Sequence, residues 1–258
     1  MFSRRGPSGR RVQLHRALSK LGWGSRTQAW EWIRAGAVRV DGRVVTDPLT
    51  WVDLDRQHVT RDGREPNPVS LTLALHKPAD VVTTRRDERG RRTVYDLLPL
   101  GLPWVFPAGR LDADSEGLLI LTGDAGLAVR LTDPTCHVAK TYHVTLNGVP
   151  SEDDLRRLRQ GIELGDGPAR PAAVRVLRRA AGRAVVEMVL TEGRNRQVRR
   201  MWAALGWRVR RLVRVAIGGL GLGDLPAGAC RELAAAEVER LTARFVVSRN
   251  DESGQFSQ

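Results

Sequence analysis

Two glycines, Gly109 and Gly117, bracket the stretch of this chain with the most chemical potential, Arg-Leu-Asp-Ala-Asp-Ser-Glu at positions 110–116. The apolar run Leu118-Leu-Ile-Leu121 follows at once and has the length of a buried strand. A carboxylate held in such a loop, on the rim of a sheet, is well placed for chemistry. An Asp or Ser in a loop more often only shapes the turn, so the stretch alone does not establish a site. The pair Asp112-x-Asp114 does not suit phosphatase-type chemistry, in which an apolar strand leads into the acidic pair; here the strand comes after it. A second feature lies further on. From Gly193 to Arg214 there are eight arginines and no acid, a density better explained by a track for phosphates than by a solvated helix.

The composition agrees with that second feature. The chain has 258 residues, enough for one large domain and one small one, and its net charge is +13 with a pI of about 11.2. Apolar residues still make up 41%, so the expectation is a folded protein that meets a polyanion. No apolar run approaches ~18 residues and no lipidation signature is present, which argues against a membrane partner. Residues 1–11 are Arg-rich but have no apolar core of a signal peptide. The two cysteines, Cys136 and Cys230, and five scattered histidines form no metal-binding pattern and no disulfide framework. No metal is expected, and a reducing cytoplasm is the default location.

Several elements are legible in order. Residues 1–10 read as a basic arm. Leu14, Ala17, Leu18 and Leu21 fall at helical spacing, and Gly22-Trp-Gly24 breaks that helix. Ser25 with Gln28 forms a capping box for a second helix with Ala29, Trp32 and Ile33 on its apolar face, ended by Gly36. Val38–Val40 and Arg43–Val45 flank Asp41-Gly42 as a hairpin with a type I′ turn. Residues 1–60 carry eleven Lys or Arg against five Asp or Glu. Residues 61–69 read as a Pro- and Gly-containing linker. Beyond it, strands are expected at Leu71–Leu75, Val81–Thr84, Tyr142–Leu146, 173–177, 184–191 and Leu212–Ile217. Helices are expected at Asp124–Thr132, from Ser151, up to Leu205, and at Glu237–Ala243.

With these patterns on the page, a resemblance can be stated. The stretch GRLDADSEGLLILTGD resembles the catalytic motif of the ribosomal pseudouridine synthases of the RsuA/RluB type, and that match puts the family's catalytic Asp at Asp112. Three further stretches resemble the family in the same order: HKPADVVTTRRDERGRRTVYDLLP, the Lys-x-Tyr of Lys140–Tyr142, and EGRNRQVRRMW. The segment LSKLGWGSRTQAWEWIRAGAVRVDGRVV resembles the S4 RNA-binding domain. The likeness covers about residues 11 to 240. Two positions depart from it, Asp80 where the family has Gly, and Ala125 where it has Gly after the catalytic strand.

The resemblance implies an α+β protein: a small S4 domain of helices plus hairpin at 11–60, then a catalytic domain at 70–246 with a mixed, mostly antiparallel sheet, and a tail at 247–258. It implies conversion of a uridine in ribosomal RNA to pseudouridine, with Asp112 as the essential carboxylate and no cofactor. Arg199 would be the cation facing that carboxylate, Tyr142 the aromatic face for the target base, and Arg110 the side chain that fills the gap left by the flipped uridine. Lys20, Arg26, Arg34, Arg39, Arg194 and Arg196 would contact RNA. Asn195-Arg196 resembles the 23S enzymes more, while IGGLGLGDLPAGACREL suits a 16S enzyme too. The expected substrate is therefore 23S ribosomal RNA with 16S as the alternative, free or in a ribosome assembly intermediate, with a monomeric enzyme. A non-catalytic S4-type RNA-binding or ribosome assembly protein is the rival reading. It explains the charge but not the joint occurrence of Asp112, Tyr142 and Arg199 in their motifs.

Overall fold

The computed structural model describes residues 11–65, 71–180 and 182–242. The arm at 1–10, residues 66–69 of the linker and the tail at 247–258 lie outside the described residues. The first part opens with β1 (Arg11–Gln13), α1 (Leu14–Lys20), α2 (Arg26–Arg34), β2 (Val38–Val40), β3 (Arg43–Val44), β4 (Trp51–Asp53) and β5 (Val59–Arg61). Ser25 caps α2 as read from the sequence: its Oγ accepts from the Gln28 amide at 3.1 Å, and Gln28 Oε1 accepts from the Ser25 amide at 3.0 Å. Gly24 permits a close approach, since a Cβ there would lie 2.5 Å from the Trp32 ring. Asp41 and Gly42 both have positive φ, 50° and 78°, the backbone of a type I′ turn between β2 and β3. Leu14, Ala17, Leu18, Ala29, Ile33, Val38 and Val40 are buried together in one small core. β5 runs through Arg61 and a turn carries the fold on to Arg64, so ordered structure extends into residues whose composition reads as linker.

By its internal contacts the chain divides into two units, residues 1–132 with 222–234, and residues 133–221 with 235–258. The first unit continues with β6 (Thr72–Lys77), β7 (Phe106–Pro107) and β8 (Glu116–Thr122), followed by α3 (Ala125–Thr132). β6 and β8 pair antiparallel from Thr72↔Thr122 to Lys77↔Gly117, and β7 pairs with the far end of β8. Leu118, Leu119, Ile120 and Leu121 are fully buried, as an apolar run of strand length requires. Asp124 caps α3 through the amides of Gly126 and Leu127. Ala125, one of the two departures, is the first residue of that helix, where Ala is a good former.

The second unit contains β9 (Lys140–Leu146), α4 (Glu152–Gln160), β10 (Glu163–Leu164), β11 (Gly167–Pro168), β12 (Ala173–Ala180), β13 (Arg183–Leu190), α5 (Gln197–Ala203), β14 (Val209–Ile217) and β15 (Leu220–Gly221). Its strands run β12-β13-β9-β14, all pairings antiparallel. Val144, Leu146, Val186, Met188, Met201 and Trp202 are central to its core. The chain then returns to the first unit with β16 (Cys230–Glu232) beside β6, and closes in the second with α6 (Ala235–Thr242). Among the described residues no helix is long and apolar enough to cross a membrane.

One expected strand is not formed. Val81–Thr84 makes only an isolated bridge at Val82, because its polar groups serve a loop instead. The Val82 amide donates to Arg92 O, the Asp80 amide to Ala113 O, and Thr83 Oγ1 to Leu111 O. Asp80 accounts for the other departure. Its φ is +63°, the left-handed region that Gly fills without strain and that Asp tolerates better than most side chains. Asp80→Gly should therefore stay within about 0.5 kcal/mol of the wild type in urea unfolding, whereas Asp80→Val should lose about 1–2 kcal/mol. Equal stability of the two variants would contradict the left-handed turn.

Candidate active site

The acidic loop is held from below by one buried cation. Ala108 donates to Ile120 O at 2.8 Å, and Gly109, at φ +94°, then turns the chain away from the ladder. Leu111 is buried, and its amide and carbonyl both engage Thr83 Oγ1, at 3.3 and 2.8 Å. The Ser115 amide donates to Asp112 O, closing a turn around Ala113 and Asp114. Beneath this turn Lys77, fully buried at the end of β6, donates to Pro78 O at 2.8 Å, Ala113 O at 3.2 Å and Ser115 O at 2.7 Å. The backbone on both sides of Asp112 is therefore fixed by named bonds, while its side chain stays half-buried and Arg110 is exposed.

Burial pulls the Lys77 ammonium down to about 8, against the opposing pull of Asp114, Asp112, Asp80 and Glu116. The ammonium in turn places positive charge behind the acidic loop.

In the second unit, β9 carries the other expected site strand between β13 and β14. Tyr142 is half-buried, opposite Met188 on one side and Arg214 on the other, and packs against the core. Lys140 and Arg214 are both buried, and desolvation together with repulsion from Arg214 lowers the Lys140 ammonium to about 8. Arg199, half-buried on α5, donates to Val209 O at 3.1 Å.

The arginine-rich stretch is less uniform than the sequence suggests. Arg194 donates to the Gly167 and Pro168 carbonyls and lies near Asp166 and Glu192, so it braces the β10–β11 hairpin. Arg200 pairs with Asp166 on the same hairpin. The buried Glu192 takes the Arg170 amide at 3.0 Å and the Gln197 side chain at 2.5 Å, which fixes the start of α5. Arg196, at φ 49° just before α5, is exposed, as are Arg208, Arg210 and Arg211.

On the S4 part, Lys20, Arg26, Arg34 and Arg39 are all exposed. Arg34 lies 5.2 Å from the Trp30 ring centroid, and Arg39 donates to Gly42 O at 3.0 Å. Thr83, Lys140 and Arg214 were not singled out by sequence reasoning for these roles, and Lys77 only as part of the Lys-Pro pair. The available signal for Lys77 was a lone Lys ending the apolar run Leu71–Leu75.

Lys77→Met should destabilise the protein by about 2–4 kcal/mol, since buried carbonyls lose their donors. The pH dependence carries a further expectation. With the folded value near 8 and the free value at 10.5, the unfolded chain binds more protons between those limits. Lys77 thus makes stability rise with pH from about 8 towards 10.5, by up to ~1.4 kcal/mol per pH unit. The stability gap between wild type and Lys77→Met, measured by urea unfolding at pH 8 and 9.5, should widen at the higher pH. A constant gap would contradict a charged, buried Lys77.

Comparison with known proteins now adds to this geometry. Residues 72–204 match the family model described as RNA pseudouridylate synthase, and residues 13–51 match the S4 domain. An RNA pseudouridine synthase of Mycobacterium tuberculosis is 42% identical over 237 residues, covering 90% of this chain and 93% of the relative. The ribosomal large subunit pseudouridine synthase B of Bacillus subtilis is 35% identical, covering 90% and 96%, and that of Salmonella typhimurium is 37% identical, covering 89% and 81%. A crystal structure of a pseudouridylate synthase superposes with a TM-score of 0.66 at 30% identity, covering 89% of this chain and 99% of the other. The S4 fold, the synthase fold and these relatives agree along nearly the whole chain, which belongs to the RNA pseudouridine synthase family as a member with an S4 domain ahead of the synthase domain.

Proposed function

We propose that this enzyme converts a uridine of 23S ribosomal RNA to pseudouridine, with Asp112 as the essential carboxylate. The observation that carries the reading is the loop itself: Asp112 stands in the family's motif, on backbone held at Leu111, Ala113 and Ser115. Two relatives at 35% and 37% identity are named as ribosomal large subunit pseudouridine synthases, which supports 23S over 16S RNA.

The reaction breaks the N1–C1′ bond, turns the uracil and joins C5 to C1′. Atoms are conserved and no electrons leave the substrate, so side chains suffice. Asp112 acts at the sugar, either as nucleophile on C1′ or as base at C2′. Arg199 pairs with that carboxylate and fixes its orientation. Tyr142 gives the extruded base an aromatic face, and Arg110 fills the space the base leaves in the RNA. Lys20, Arg26, Arg34, Arg39 and Arg196 hold phosphates, and Arg194 braces the β10–β11 hairpin. The enzyme works as a monomer in the cytoplasm, on free ribosomal RNA or an assembly intermediate.

Release of tritium from C5-labelled uridine in ribosomal RNA tests the activity, because C5 must lose its hydrogen when it bonds to C1′. Wild type should release tritium and Asp112→Asn should not, while RNA binding remains nearly intact. Multiple turnover by clean Asp112→Asn would overturn the role of Asp112. Mapping pseudouridines in RNA from a strain lacking the gene would identify the subunit; a missing site in 16S instead of 23S would correct the target.

The role of Arg199 has its own signature. Arg199→Ala should slow single turnover even at saturating RNA and with little dependence on salt, because the carboxylate then loses the partner that orients it. Arg208→Ala should mainly raise the apparent Michaelis constant, in a salt-dependent way. Identical behaviour of the two variants would make Arg199 an ordinary phosphate contact.

A further inference from the structure

A cleft of about 610 Å³ lies within the first unit, between the S4 helices on one side and β7 with α3 on the other. This is in the range of about 300–1,000 Å³ typical of ligand sites. One wall carries Arg16 and Lys20 from α1 and Arg26 from the first turn of α2, all exposed. Among the described residues none of the three is paired with an acid, and none of the residues lining the cleft is acidic. The opposite wall is Trp104, Phe106, Pro107 and the outer face of α3, where Val129 is 58% exposed. The guanidinium of Arg85 stacks 4.1 Å from the Trp104 centroid and holds that ring from outside the cleft lining. Gly109 closes the cleft at the active-site end. It precedes Asp112 by three residues, so the cleft ends within about 11 Å of that residue, the reach of three residues of extended chain.

Three uncompensated cations facing an aromatic wall match a single strand of RNA, which offers phosphates on one side and unstacked bases on the other. A duplex would keep its bases stacked and give Trp104 and Phe106 nothing to receive. An acidic peptide would satisfy the cations but not require the aromatic wall. We infer that this cleft binds the single-stranded RNA segment flanking the target uridine, phosphates along Arg16, Lys20 and Arg26 and a base against Trp104. The S4 helices and the wall formed by β7 and α3 thereby form one site. This rests on the pseudouridine synthase reading for its placement next to the target, but strand binding is testable without it.

The probe is a fluorescent single-stranded oligouridylate, titrated against the full-length protein over a range of salt. Arg16→Gln/Lys20→Gln should weaken binding and lower the magnitude of the log–log salt slope by roughly 1.4, at about 0.7 per lost single-strand phosphate contact. Trp104→Leu should weaken binding roughly 5- to 150-fold, the range for one lost base–aromatic stack. Should Trp104→Leu fail to fold, Val129→Glu puts a carboxylate on an exposed helix position in the same wall, and should also weaken binding. Arg178→Gln/Arg179→Gln on β12 removes the same charge from the second unit and serves as control.

Unchanged affinity and slope in the α1 double variant, or an equal loss in the control, would overturn the inference. So would full displacement of the oligomer by UMP at equal nucleotide concentration, since that means a mononucleotide site. Tritium release by the same preparations separates the two readings. Wild-type release with normal binding by Val129→Glu and by the α1 double variant overturns only the cleft. Strand binding lost in the variants, with no release by wild type, overturns only the enzyme.

Discussion

A single buried ammonium sets the shape of the acidic loop. Lys77 gives up its water to donate to three carbonyls, two of them in the loop itself, and the desolvation this requires appears as an ammonium lowered to about 8. Removing either partner of such an arrangement leaves buried polar groups unmatched, so the lysine and the loop hold one another in place. Thr83 performs the same service for Leu111 through one hydroxyl used twice. The role proposed for Asp112 at one sugar carbon calls for this kind of fixed backbone, because catalytic rates are steep in position.

Much of this was legible in the sequence, for local reasons. The capping box at Ser25, the helix start at Ser151, the Asp41-Gly42 turn and the apolar strand after Gly117 depend on residues a few positions apart, and each formed as expected. What the sequence concealed depends on distant partners. Val81–Thr84 has the composition of a strand, but its hydrogen bonds go to Arg92, Ala113 and Leu111. Lys77 appeared as half of a dipeptide motif, and only the fold shows it beneath residues 36 and 38 positions away.

The arginines between 193 and 214 carry a similar lesson. By count they form one basic track, yet Arg194 and Arg200 brace the β10–β11 hairpin and Arg214 is buried beside Lys140. Acids outside the stretch, Asp166 and Glu192, divide the set into structural and exposed members. Net charge thus reports the class of partner, while burial and pairing decide which cations can meet it. Among the described residues, the exposed cations of α1 and the start of α2 are paired with no such acids.

The central claim is that the loop supplies a carboxylate at one fixed position, so that charge without position is not enough. Asp112→Glu tests it most directly, since it keeps the charge and moves it outwards by one methylene on an unchanged backbone. Its single-turnover rate on a ribosomal RNA substrate, with protein in excess so that binding does not limit, should fall by about 100-fold or more. A rate within a few-fold of the wild type would contradict the account and make the fixed loop incidental to the chemistry.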